Sequence, residues 1–143
     1  MLENLKVEIT IETSASPDQV WDALVNPAKI KLYLFGTDAI SDWKKGASIR
    51  FVGTWEGKQY EDKGTILRLE KNKVFEYNYW SSFSPLPDKP ENYSTIAFEI
   101  KNGAGSTVLS LVQSGFAGEA QRSHSEENWT RVLEQLKAIA EAG

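Results

Sequence analysis

Side chains able to do acid–base, nucleophilic or metal chemistry are few in this chain, and their spacing does not gather them. The one imidazole is His124, between Ser123 and Ser125 near the start of the last helical pattern. A catalytic or metal-bound histidine needs partners that converge on it, so a solvated helix-start histidine is the favoured reading. There is no cysteine, which removes disulfides, thiolate nucleophiles, iron–sulfur clusters and cysteine-type zinc sites. A first-row metal would then need mainly carboxylates, and no such constellation is visible. No catalytic residue, metal site or cofactor is therefore expected. Ser94, Ser110 and Ser114 lack the glycine-flanked context of a hydrolase elbow. Glu8, Glu12, Glu76 and Glu99 fall on outward strand positions. Glu61 and Asp62 are adjacent, so only one can point inward, and solvated strand charge is expected of both.

The aromatic side chains are the stronger signal: five Trp, five Tyr and six Phe. Phe51, Trp55, Phe75, Tyr77 and Tyr79 share the inward phase of strands expected to be neighbours, and Trp129 faces them from the terminal helix. Apolar bulk with a few polar tips suits a small ligand. The candidate pocket set is Phe51, Trp55, Tyr77, Tyr79, Gln113 and Trp129. A filled core is the favoured account of Phe51, Phe75 and Phe98. For Trp55, Tyr79 and Gln113, nearer the strand ends, ligand contact and core packing stand level. Arg50 and Arg68 are candidates for charge at a pocket mouth, with surface solvation the favoured reading.

Several elements must position these groups. Residues 5 to 13 alternate, Val7, Ile9 and Ile11 against Lys6, Glu8, Thr10 and Glu12, as a half-buried strand does. Ser16-Pro17-Asp18 opens a helix, with Ser16 as N-cap and Pro17 at the first position. Val20, Trp21, Leu24 and Val25 give it an apolar stripe, and Asn26-Pro27 ends it. A second short helix is expected from Ala28 to Leu34. Strands and turns follow from residue 38 to 113. Ile49, Phe51, Gly53 and Trp55 alternate up to a hairpin turn at Glu56-Gly57. The return strand runs from Tyr60 to Leu69 with Gly64 inside it. Ser84 to Asn92, with three prolines, reads as a loop. Ile96, Phe98 and Ile100 form one further inward set, and Thr107, Leu109, Leu111 and Gln113 the last. From Gln121 to Glu141, Trp129, Val132, Leu133, Leu136, Ile139 and Ala140 keep helical spacing. The pattern predicts an α+β chain: an antiparallel sheet of six or seven strands whose apolar face the long C-terminal helix covers.

The chain has 143 residues, with 41% hydrophobic and 25% charged. That fits one domain, 1–143, able to bury a core without metal or disulfide. A net charge of -4 with no basic cluster beyond Lys44-Lys45 argues against nucleic acid and anionic membranes. No apolar run approaches the roughly 20 residues of a membrane helix. Met1-Leu2-Glu3-Asn4 lacks the apolar core of a signal peptide, so a cytoplasmic location is the expectation.

Certain residues within this order resemble the START-like or Bet v 1-like superfamily (SRPBCC), which has a helix-grip fold. More narrowly, the chain is similar to the bacterial family named after the activator of the 90-kDa heat-shock-protein ATPase. The matching pieces include Ser16-Pro17-Asp18-Gln19-Val20-Trp21, Trp43-Lys44-Lys45-Gly46, Gly64-Thr65-Ile66-Leu67, Tyr93-Ser94-Thr95-Ile96-Ala97-Phe98, Ser106 to Leu111 and Glu127 to Lys137. Where many members carry a Trp after the second helix, this chain has Tyr33-Leu34-Phe35, and it has the single Gly46 in place of a glycine pair. The resemblance implies the helix-grip fold and allows three functions. The first is a non-catalytic module binding a small apolar or amphipathic ligand. The second is an interaction module with a chaperone as partner. The third is a cofactor-free cyclase- or hydrolase-like enzyme, for which Tyr79→Phe would abolish turnover. Open sheet edges also allow a homodimer.

Overall fold

The computed structural model describes residues 5–34, 36–81, 86–116 and 118–142, apart from the side chain of Trp55. The opening tetrapeptide, Phe35 and the first part of the proline loop therefore lie outside the described residues.

Strand β1 (Lys6–Thr13) leads into helix α1 (Pro17–Val25). The Ser16 hydroxyl accepts from the Gln19 amide at 3.2 Å, and the Gln19 side chain accepts from the Ser16 amide at 2.7 Å. This reciprocal capping satisfies two N–H groups that a helix start leaves unpaired. Asn26 ends α1 and caps α2 (Pro27–Tyr33), its side-chain oxygen accepting from the Ala28 amide at 3.0 Å. The Tyr33 hydroxyl donates to the Leu24 carbonyl at 3.2 Å and ties the two helices together.

The remaining strands are β2 (Asp38–Ser41), β3 (Ser48–Trp55), β4 (Lys58–Glu70), β5 (Val74–Tyr79), β6 (Ser94–Asn102) and β7 (Thr107–Ser114). With β1 they form one antiparallel sheet in the order β1-β7-β6-β5-β4-β3-β2. Glu56 and Gly57 both have positive φ, 50° and 79°. This two-residue turn matches the twist of its flanking strands, so pairing starts at Trp55 and Lys58 and β4 begins two residues before Tyr60.

β4 is long enough to pair with β3 along one half and with β5 along the other, and Gly64 lies close against β5. A methyl group there would lie 1.7 Å from the Asn78 carbonyl oxygen. The Asn78 side chain accepts from the Thr65 amide at 2.7 Å, and the register to β5 slips between Ile66 and Arg68. Such irregularities increase local twist and let the sheet curl.

Helix α3 (Glu119–Ala142) lies across the inner face. Its first turn includes the Glu119–Arg122 pair at 2.8 Å, so it starts two residues earlier than the apolar spacing predicts. Trp129, Val132, Leu133, Leu136 and Ala140 are buried, while Glu126, Glu127, Arg131, Glu134 and Lys137 face out. Burial of Val132, Leu133 and Leu136 stabilises the fold by roughly 2 kcal/mol each. The far end is held by Glu141, which accepts from the Thr13 hydroxyl at 2.7 Å and the Ser14 amide at 3.3 Å. This is the helix-grip fold, and no described helix is long and apolar enough to cross a membrane.

Two outcomes follow from these contacts. Gly64→Ala should lower stability by roughly 3 kcal/mol, because backbone must move to admit the methyl group; urea unfolding reads this out. The Thr13 hydroxyl and the Ser14 amide hold the Glu141 carboxyl below the ordinary glutamate value. The folded state therefore binds this proton less readily than the unfolded chain. The bonds stabilise the fold above the ordinary value and are lost as pH falls through the lowered one. Glu141→Gln should accordingly lower the melting temperature at neutral pH, and the difference should vanish under acid conditions that protonate Glu141 in the folded protein.

Candidate functional site

The inner face carries a continuous run of rings. Tyr79 lies edge-on to Phe51 at 6.0 Å, Phe51 is 5.6 Å from Tyr77, and Tyr77 is 5.0 Å from Phe75. Phe75 stacks on its cross-strand partner Phe98 at 6.1 Å, and Phe98 meets Trp129 of α3 edge-on at 5.7 Å. Of the predicted pocket set, Phe51, Tyr77 and Tyr79 form one group, and Gln113 and Trp129 form another. Phe75 and Phe98 join the two. Trp55 pairs with Lys58 through its backbone, and its side chain lies outside the described residues.

A polar path crosses this apolar surface. The Trp129 indole N–H donates to Gln113 Oε1 at 2.7 Å, and Gln113 Nε2 donates to Ser94 Oγ at 3.1 Å. Ser94 sits opposite Tyr79 in the ladder and donates to its carbonyl at 3.5 Å. The Tyr79 hydroxyl donates to Asp62 Oδ2 at 2.5 Å. Expecting solvent exposure of Asp62 is thus incorrect, although Glu61 is exposed and bonded to Arg50 at 2.8 Å. The reason lies in strand phase: Asp62 shares its side of β4 with buried Gly64 and Ile66. That periodicity was the available signal. The bridging position of Ser94 depends on strand neighbours, which alternation within its own segment does not reveal.

Burial varies within the interior. Ile49, Ile66, Leu109 and Leu111 are 0% exposed, whereas Phe51, Asp62, Gln113 and Trp129 keep 5%, 7%, 6% and 8%. Slight access is not confined to one end, since Ile100, opposite Leu109, keeps 7% and Val7, opposite Gln113, keeps 0%. Tyr60 of β4 hydrogen-bonds Thr37, whose hydroxyl donates to the Leu34 carbonyl at 2.8 Å. Tyr77 is 4% exposed, and its hydroxyl has no hydrogen-bond partner among the described residues. Burial and the charge of Asp62 hold both the Tyr77 and Tyr79 phenols above the ordinary tyrosine value. Both therefore stay protonated and can donate.

Two surface depressions lie elsewhere. One of about 510 Å³ is lined by Pro17, Asn72, Lys73, Ile100, Lys101 and Asn102, and one of about 320 Å³ by Thr65, Asn78, Asp88, Pro90 and Tyr93. Arg68 pairs with Glu76 at 2.8 Å, away from the inner face, and His124 is exposed on α3. Among the described residues no three His, Asp or Glu side chains converge as metal ligands would.

The Trp129–Gln113 bond sets a stability test. Gln113→Leu leaves the indole N–H without its partner and should cost roughly 1–3 kcal/mol. Trp129→Phe should cost a similar amount. The double variant should lose about 1 kcal/mol less than the sum, as expected when one shared bond accounts for part of both losses. Urea unfolding of the four proteins checks it.

The model of the family described as "Activator of Hsp90 ATPase homolog 1-like protein" matches residues 14–141. Among curated proteins nothing matches. The solution structure of ChR145 from Cytophaga hutchinsonii is similar, with 39% identity and a TM-score of 0.85, over 99% of this chain and 97% of that one. The Aha1 dimer from Colwellia psychrerythraea shares the fold at 19% identity and a TM-score of 0.75, over 95% and 96% of the two chains. DynU16, a protein of the dynemicin biosynthetic locus, does so at 16% identity and a TM-score of 0.78, over 96% of this chain and 48% of its own. Matched by the family model over most of its length, the chain belongs to the Activator of Hsp90 ATPase homolog 1-like family.

Proposed function

We propose that the chain is a single-domain cytoplasmic binding module that takes a small apolar or amphipathic ligand between the sheet and α3. The observation that carries this reading is the inward run of rings from Tyr79 to Trp129, within which the Tyr77 hydroxyl has no hydrogen-bond partner among the described residues. A hydroxyl can both donate and accept, and a ligand head group would pair this one. Phe51, Tyr77, Tyr79 and Trp129 supply ring surface there, and Gln113 holds Trp129 in place. The position of DynU16 in a biosynthetic locus supports a small-molecule role for this fold.

Displacement of the neutral dye Nile red by alkanols tests the reading. Wild-type protein should bind the dye and release it to an alkanol. No binding of any neutral apolar probe would end it. Tyr77→Phe should weaken alkanol binding while changing stability by less than about 1 kcal/mol, since it removes no protein hydrogen bond. Tyr79→Phe should cost roughly 1.5–3 kcal/mol of stability, because its hydroxyl serves a carboxylate.

The family description supports a second reading, association with a 90-kDa heat-shock protein. A pull-down with that chaperone's bacterial homologue, together with its ATPase rate, decides it. No association and no rate change would discard the idea.

A further inference from the structure

We infer that the interior site selects a cationic head: its ligand class is a protonated amine on an apolar body, and Asp62 is the residue that sets this preference. The inference rests on the binding reading above and names its chemistry.

Asp62 is the one buried carboxylate among the described residues. It stands opposite Phe51 in the β3–β4 ladder and accepts from the Tyr79 hydroxyl at 2.5 Å. The Phe51 ring lies 5.6 Å from Tyr77 and 6.0 Å from Tyr79. A carboxylate bonded to one phenol and paired across the ladder with a phenylalanine is suited to an ammonium group. The charge attracts it, and the negative faces of the rings add to that attraction. The same arrangement repels a carboxylate head, and the low dielectric of a buried site sharpens the contrast. The phenols of Tyr77 and Tyr79 remain neutral, so the negative charge at this end is that of Asp62. The unpartnered Tyr77 hydroxyl offers an oxygen that can accept one ammonium proton while Asp62 accepts another.

Three probes with one chain length separate head-group charge from apolar binding: octylammonium, octanol and octanoate, measured by titration calorimetry. Wild-type protein should bind octylammonium at least ~10-fold more tightly than octanoate. Asp62→Asn should bring the two within about twofold and leave octanol nearly unchanged. The chain's net charge of -4 favours any cation, so Glu127→Gln serves as control. It removes the same charge from an exposed position on α3 and should keep the preference. Should Asp62→Asn not fold, carbon NMR of the Asp62 carboxyl in wild-type protein gives the answer. Its signal should move on saturation with octylammonium far more than with octanol. Octanoate binding as tightly as octylammonium would overturn the inference, as would a preference that survives Asp62→Asn or an Asp62 signal indifferent to the amine. If octanol binds in those cases, the binding reading stands alone. If none of the three binds, both fall.

Discussion

Val132, Leu133, Leu136 and Ala140 press the last helix onto α1, α2 and β1, and this contact gives the sheet an inside. Without it the inward residues of β3 to β7 would face water. The sheet contributes the matching surface, helped by the register slip of β4 between Ile66 and Arg68, an irregularity of the kind that lets strands curl. The anchor at the far end of α3 is polar, Glu141 against Thr13 and Ser14. The near end is held by the Trp129 indole on Gln113. Helix position thus depends on apolar burial along its length and directional bonds at two points.

These supports divide the interior. Toward the α1 end, aliphatic side chains such as Ile49, Ile66, Leu109 and Leu111 are sealed from water. Toward the other end, rings carry polar tips, and a carboxylate lies among them. Burying a charge costs free energy that only hydrogen bonds or an opposite charge can offset. A sequence under pressure for stability alone would favour an aliphatic residue at Asp62. Its presence beside Tyr79 is the local departure from stability-first composition that the proposed binding reading uses.

Much of the fold was legible in the chain because strand and helix periods differ. The alternation of Ile49 to Trp55, the Ser16-Pro17 helix start and the stripe from Trp129 to Ala140 each produced the expected element. The inward phase brought Phe51, Tyr77 and Tyr79 together and placed Trp129 beside Gln113. Asp62 departs from its expected exposure for a physical reason: its charge favours solvent, but Gly64 and Ile66 fix its strand phase inward. Pairwise bonds such as Gln113 to Ser94 depend on strand order and register. Alternation within one segment carries no information about which segment lies next to it.

The strand order has a consequence for how the chain acquires its shape. β1 pairs only with β7, so Thr10 finds Ser110 across a separation of 100 residues. During synthesis the first strand must wait, with its ladder groups unpaired, until nearly all the chain has emerged. Loop closure of that length is slow, and waiting strands are exposed to wrong partners. The alternating charges of Lys6, Glu8 and Glu12 then act before the native state exists. They keep a lone β-forming segment soluble and discourage it from joining the same segment of a neighbouring nascent chain.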